Sequence, residues 1–273
     1  MSGVKHGPLG ESVNYPTEYS ADLLHPIPRA PGRDALALTA PIHGSDVWTA
    51  FELSWLNASG KPMVACAEFF IPAASSHIIE SKSFKLYLNS LNQHRLGHPD
   101  DLVALLKADL SARVGCAIDL RLYLPDDWHS LLPVAAPPGL CLDALEVHPQ
   151  NYELGDSPLK STGKNSVAEC LYSNLLRSRC PVTGQPDWAT VIIDYCGPQL
   201  SHEALLLYLI SFRQHDDFHE HCVERIYRDI WRDCEPERLT VSARYLRRGG
   251  LDINPWRSSD PQACGAMARL VRQ

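Results

Sequence analysis

Trp188-Ala189-Thr190-Val191-Ile192-Ile193-Asp194-Tyr195, with Ser201-His202-Glu203-Ala204-Leu205-Leu206 a few residues on, is the stretch that sets the architecture. The first segment is rich in β-branched and aromatic residues, which suit a strand. In the second, Ser201 suits a helix N-cap, and Leu205, Leu206, Leu209 and Phe212 fall at helical spacing. Upstream, Val167 to Leu176 reads as a strand that pairs with 188–195. Downstream, a second helix is expected from about Asp217 to Cys234, with Cys222, Ile226 and Ile230 on one stripe. Leu239, Val241, Ala243 and Tyr245 then alternate as a strand does, and Ala268 to Val271 is expected to close the sheet.

The first half has the same order. Val47 to Leu56 and Pro62 to Ile71 read as strands around an Asn57-Ala58-Ser59-Gly60 turn. Helical spacing follows in Ser81 to Gln93, with Phe84, Tyr87 and Leu88. It returns after Pro99 with Leu102, Leu105, Leu106 and Leu110, where Asp100 and Asp101 suit a helix start. Ala117 to Leu124 alternates, and a weaker strand is expected near Leu140 to Val147. The order strand, strand, helix, helix, strand, strand thus occurs twice, without repeating the residues. That predicts an α+β fold with antiparallel sheets rather than a doubly wound α/β one. Expected ranges are a proline-rich extended arm over 1–45, a module over 46–150 and a second over 151–273, with Pro149 to Lys164 as linker.

The 273 residues, 45% hydrophobic and 21% charged, are ordinary for a globular chain of one or two domains. A net charge of −7 argues against a general nucleic-acid or membrane binder. Met1 to Tyr19 holds no signal-peptide core, and no run of about eighteen apolar residues occurs anywhere. Nine scattered cysteines without a Cys-x-x-Cys pair read as reduced thiols. A cytoplasmic protein is expected.

Four stretches carry possible chemistry. Cys180-Pro181-Val182-Thr183-Gly184-Gln185-Pro186-Asp187 puts a thiol after one strand and a carboxyl group where the next begins. A thiolate attacks and leaves well, and a nearby carboxyl group can pass protons. A structural thiol beside a turn-forming aspartate has the same spacing. Phe212 to Cys222 holds His215, His219, His221 and Cys222, which invite a zinc reading or a solvated helix start. In Ile79-Glu80-Ser81-Lys82-Ser83-Phe84-Lys85, Glu80 can accept hydrogen bonds from a purine-like base. Ser81 and Lys82, near open backbone N–H groups, suit a phosphate, although Ser and Glu also serve as plain caps. Arg244 to Arg257 contains Arg247-Arg248-Gly249-Gly250, able to bring guanidinium and backbone to a phosphate or to form a solvated turn. No Gly-x-Gly-x-x-Gly occurs, so no Rossmann site is expected.

Taken together, these motifs resemble the NADPH-dependent 7-cyano-7-deazaguanine reductases of queuosine biosynthesis, in their long two-module form. The resemblance runs from about Leu23, with nothing characteristic in Pro125 to Gly163. It implies two tandem tunnelling-fold modules, each a four-stranded antiparallel sheet with two helices between strands 2 and 3. It also implies a homodimer, with the pocket where modules meet. The implied reaction takes a nitrile to a primary amine with two NADPH, through a thioimide on Cys180 protonated by Asp187. By the same resemblance Ile79, Glu80, Ser81, His219 and Glu220 bind substrate. Ser81, Lys82, Arg248 and Gly249 bind NADPH, and no metal or nucleic acid is implied. The rival readings are a zinc-dependent hydrolase of the GTP cyclohydrolase type and a noncatalytic base-binding module.

Overall fold

The computed structural model describes residues 15–130, 133–155, 157–265 and 268–273. Residues 1–14 of the expected arm lie outside them. In chain order the elements are β1 (Pro26–Pro28), α1 (Ala30–Leu36), β2 (His43–Leu56), β3 (Pro62–Pro72), β4 (His77–Ile79), α2 (Ser81–Ser90) and α3 (Pro99–Val114). There follow β5 (Asp119–Tyr123), β6 (Leu140–Cys141), β7 (Ser161–Arg179), β8 (Pro186–Leu200), α4 (His202–Ser211), α5 (His219–Cys234), β9 (Arg238–Tyr245) and β10 (Leu251–Ser258). Short 3₁₀ turns follow α2 at Leu91–Gln93 and α4 at Phe212–Gln214. No helix among the described residues is long and apolar enough to cross a membrane.

The chain divides into two compact units. The first comprises Met1–Pro31, Val47–Leu131 and Arg248–Asp252; the second comprises Gly32–Asp46, Leu132–Arg247 and Ile253–Gln273. The first holds strands in the order β5-β3-β2 and the small pair β1-β4. Its helices start as their sequences dictate. The Glu80 carboxylate caps α2, and α3 opens on a capping box of His98 and Asp101. Between them Trp48 and Phe69 each meet Phe84 edge-on at 5.1 Å, which seats α2 on the strands.

The second unit orders its strands β10-β9-β8-β7-β6. The β7–β8, β8–β9 and β9–β10 pairs are antiparallel, and α4 and α5 lie between β8 and β9 in sequence. Ser201 Oγ accepts from Ala204 N at 3.3 Å, the cap expected there. Leu205, Leu209, Cys222, Ile226 and Ile230 join Val191, Ile193, Val241 and Tyr245 in one core.

Several expectations are corrected. The 140–147 strand is only Leu140–Cys141, and it pairs in parallel with β7 of the second unit rather than completing the first. Ala268 to Val271 does not close the sheet: Arg269 makes an isolated bridge to Val134, and β10 is the closing strand. Pro255 lacks a donor and interrupts the pattern of β10, which hid it. The Pro149–Lys164 linker is shorter than expected, since β7 begins at Ser161. The 1–45 segment is not a plain extended arm. It includes α1, and its described residues divide between the units at Gly32.

Residues also repeat where only the order was expected to. Tyr87-Leu88-Asn89-Ser90-Leu91-Asn92-Gln93-His94 recurs as Tyr208-Leu209-Ile210-Ser211-Phe212-Arg213-Gln214-His215. The shared tyrosine, serine and histidine do the same work twice. Tyr87 donates to Asp109 and Tyr208 to Asp229, both at 2.6 Å. Ser90 and Ser211 cap back onto those tyrosines' carbonyls at 2.6 Å. His94 O accepts from Leu56 N at 2.9 Å, and His215 O from Arg179 N at 2.8 Å.

Candidate active site

In the second unit, β7 ends at Arg179 and β8 begins at Pro186. The loop between them is closed by Cys180 N donating to Gln185 O and by Gly184 N donating to Cys180 O, both at 2.9 Å. Gly184 has φ 66, a left-handed value that glycine adopts without strain. Asp187 pairs with Ser178 across the hairpin. Cys180 is the first residue past β7, next to Arg179, which pairs with Pro186, so the thiol and Asp187 belong to the same end of the hairpin. Cys180 and Asp187 are both buried.

Helix α5 is brought to this hairpin by its own approach segment. Arg179 grips Asp216 with two hydrogen bonds, at 2.8 and 2.9 Å, and Asp217 N donates to Arg179 O at 3.1 Å. Asp217 next accepts from Phe218 N at 2.8 Å, so α5 begins at His219 rather than at Asp217. That start places His219 Nε2 3.2 Å from Asp187 Oδ2, with both side chains nearly excluded from solvent. Such a pair can hold and move one proton between carboxyl and imidazole. Glu220 is the next residue of α5 and is also buried. Cys180, Asp187, His219 and Glu220 therefore gather around one hairpin end and one helix start.

The histidines suggested for zinc are used otherwise. His215 Nε2 lies 3.3 Å and His221 Nδ1 3.0 Å from Asp217. Burial works against the Asp217 charge, but hydrogen bonds from both histidines and from Phe218 N outweigh it and hold the carboxyl well below its ordinary range. Burial also disfavours a charged His221, yet the bond and charge of Asp217 raise its pKa. Complete burial pushes the Cys222 thiol far up, the opposite of what a metal thiolate needs. Among the described residues no three His, Cys, Asp or Glu side chains come together as a metal site.

In the first unit, Ile79 ends β4, and Glu80, Ser81 and Lys82 open α2. Glu80 is fully buried and accepts from Lys82 N and Ser83 N, both at 2.7 Å. Burial raises its pKa, with those two hydrogen bonds and nearby Lys85 and His25 acting in the other direction. The Lys82 N–H is thus not open to a phosphate, as the sequence reading expected, because the Glu80 cap takes it. Basic side chains remain as the means of holding an anion. Arg248 precedes Gly249, whose φ is 60, and a Cβ at Gly249 would meet Lys85 Cδ and Cε at 3.4 and 3.5 Å. Those are ordinary contact distances, so it is the left-handed φ that favours glycine here, and the 248–250 turn lies against Lys85 of α2, one turn from Lys82. Basic groups of this kind could hold the phosphates of NADPH.

Tyr245 was read from the sequence as an alternating strand position leading into the Arg247-Arg248-Gly249-Gly250 stretch, with no role of its own. Its ring stacks on His219, centroids 3.9 Å apart and planes 10° from parallel.

Residues 15–122 match the family described as nitrile reductase, 7-cyano-7-deazaguanine-reductase N-term, and residues 186–263 match that described as QueF-like protein. An NADPH-dependent 7-cyano-7-deazaguanine reductase of Bordetella avium (strain 197N) is 53% identical over 268 residues, covering 97% of this chain and 98% of its own. One of Acidovorax ebreus (strain TPSY) is 48% identical over 282 residues, covering 100% of both. The apo form of an archaeosine synthase QueF-Like matches 38% of this chain at 16% identity and a TM-score of 0.31, too slight a likeness to argue from.

Proposed function

This chain belongs to the NADPH-dependent 7-cyano-7-deazaguanine reductases, and from that premise we propose that it reduces the nitrile of 7-cyano-7-deazaguanine through covalent attachment to Cys180. A nitrile carbon resists direct hydride attack, so activation by a thiolate makes chemical sense. Cys180 gives its thiol proton to the Asp187–His219 pair as the Sγ–carbon bond forms and one π bond of the nitrile becomes a lone pair on nitrogen. Asp187 delivers the proton to that nitrogen, giving a thioimide. NADPH, when bound, supplies the hydrides, two per nitrile, that take the carbon to the amine level. Cys180 must also leave again, and a thiolate does so readily. His219, against Asp187, returns the proton that Asp187 gives up. Glu220 accepts hydrogen bonds from the ring N–H groups of the base, and a buried carboxylate left without them is a source of selectivity.

The first unit's share of the reading is a second base-binding carboxylate, Glu80, beside the backbone of Ile79 and Ser81. Lys82, Arg248 and the Gly249 turn, with Ser81 at the start of α2, are its phosphate-binding groups. Tandem tunnelling-fold modules and a homodimer belong to the same reading. The strand, strand, helix, helix, strand, strand order of the second unit supports the former. The zinc-hydrolase alternative is not favoured, since near-full-length relatives are reductases.

The observation that carries the mechanism is the buried Asp187–His219 pair beside the loop that begins with Cys180. Intact mass after mixing with the nitrile, without NADPH, tests it. The protein should gain the nitrile's mass, Cys180→Ala should not, and NADPH should discharge the adduct. No gain by a folded protein shown to bind the nitrile removes the thioimide.

A further inference from the structure

Resting on the reading of Asp187 and His219 as the proton-transfer pair, the geometry points to Tyr245 as the residue that holds that pair in line. His219 is the first residue of α5, and its Nε2 faces Asp187. Its other nitrogen, Nδ1, is buried with no hydrogen-bond partner among the described residues. A working histidine ordinarily has its ring fixed by a bond at the second nitrogen. Here the near-parallel Tyr245 ring does that work from one side, at 3.9 Å.

Tyr245 is itself held unusually firmly. It is fully buried and lies opposite Ala189 on β8, two residues from Asp187 and on the same face. Its backbone N donates to Asn254 Oδ1 at 3.1 Å. Gln273 Nε2 donates to the carbonyls of Tyr245 and Arg244, at 3.1 and 3.2 Å. Burial, with Cys222 and Asp187 nearby, raises the phenol's pKa, and the contact with His219 is made by the stacked ring. Tyr245 touches no reacting atom in this account and is a positioning residue.

The test compares Tyr245→Phe, which keeps the ring, with Tyr245→Leu, which removes it, in the full chain. The readouts are the rate of mass gain with the nitrile, kcat and KM. Tyr245→Leu should slow adduct formation and kcat by about tenfold or more, the scale of a small misplacement of catalytic groups. KM for the nitrile should hold, and Tyr245→Phe should restore the rate. Wild-type rates in Tyr245→Leu, or equal loss in Tyr245→Phe, would overturn the inference. If Tyr245→Leu does not fold, Gln273→Ala decides: a lower kcat at constant KM supports the positioning role, and an unchanged kcat overturns it. Asp187→Asn and His219→Ala run alongside. Wild-type adduct rates in both would sink the underlying proton-transfer reading instead.

Discussion

Glu80 illustrates how one side chain answers to two descriptions. A carboxylate before Ser-Lys-Ser reads equally as a helix cap and as a base-binding group, and its hydrogen bonds to Lys82 N and Ser83 N make the cap real. The cap leaves further lone pairs on both oxygens for the proposed ligand role. Glu235 is a plainer case. It ends α5 with φ 47, where Gly115 ends α3 with φ 80. A side chain in the left-handed region carries a steric cost that glycine avoids. Glu235→Gly is therefore expected to raise unfolding stability by about 0.5 kcal/mol, read as a higher urea midpoint at unchanged slope.

At the scale of elements, α5 depends on a polar strap formed by the segment between Gly32 and Asp46. Arg33 donates to Glu224 at 2.7 and 3.2 Å. Tyr227 Oη donates to Pro41 O at 2.6 Å and Arg228 to Leu36 O at 2.7 Å. Gly32 lies so close to His221 that a Cβ there would come within 2.7 Å of the ring. Arg257, fully buried on β10, bridges Asp46 at 2.8 Å and Glu224 at 2.9 Å. Removing one cation from such a network strands buried carboxylates. Arg257→Met is expected to cost about 3–5 kcal/mol, measured by denaturant unfolding. Only a loss below about 1 kcal/mol would fit a solvated pair. The sequence marked this stretch as an arm that wraps a core, but not its partners, because a proline-rich stretch with scattered arginines has no periodicity to read.

For the whole molecule, three buried perturbed groups set the direction of the pH–stability profile, and the more exposed Glu169 and Asp233, both lowered, add to its acid side. Asp217 is depressed, so its contribution is present above the unfolded Asp value of about 3.9 and lost as pH falls through the folded one. His221 is raised, so its contribution is complete below about 6.5 and lost as pH rises through the folded value. Glu80 is raised by burial and likewise contributes most at the acid end. Asp217 and His221 therefore place the maximum between about pH 4 and 6.5, Glu80 tilts it toward the acid end, and stability should decline toward pH 8. Melting temperatures across that range check this, and His221→Gln should flatten the alkaline side. A wild-type maximum at pH 8 would contradict the assignment.

The sequence alone determined the element order, since periods of two and of 3.6 residues are local properties. It pointed to the family as well, because four motifs in order are specific even where each is ambiguous. The Tyr-Leu-x-Ser-x-x-Gln-His repeat was also there to be found by aligning the halves. Only the tertiary structure decided which partners the side chains meet. Proline in β10 concealed a strand whose pairing depends on distant partners. Whether His215, His219 and His221 serve a metal, an aspartate or a proton transfer depends on which carboxylates reach them. Those carboxylates, Asp187 and Asp217, are placed by strand register and by the Arg179–Asp216 bridge, long-range contacts that no local spacing encodes.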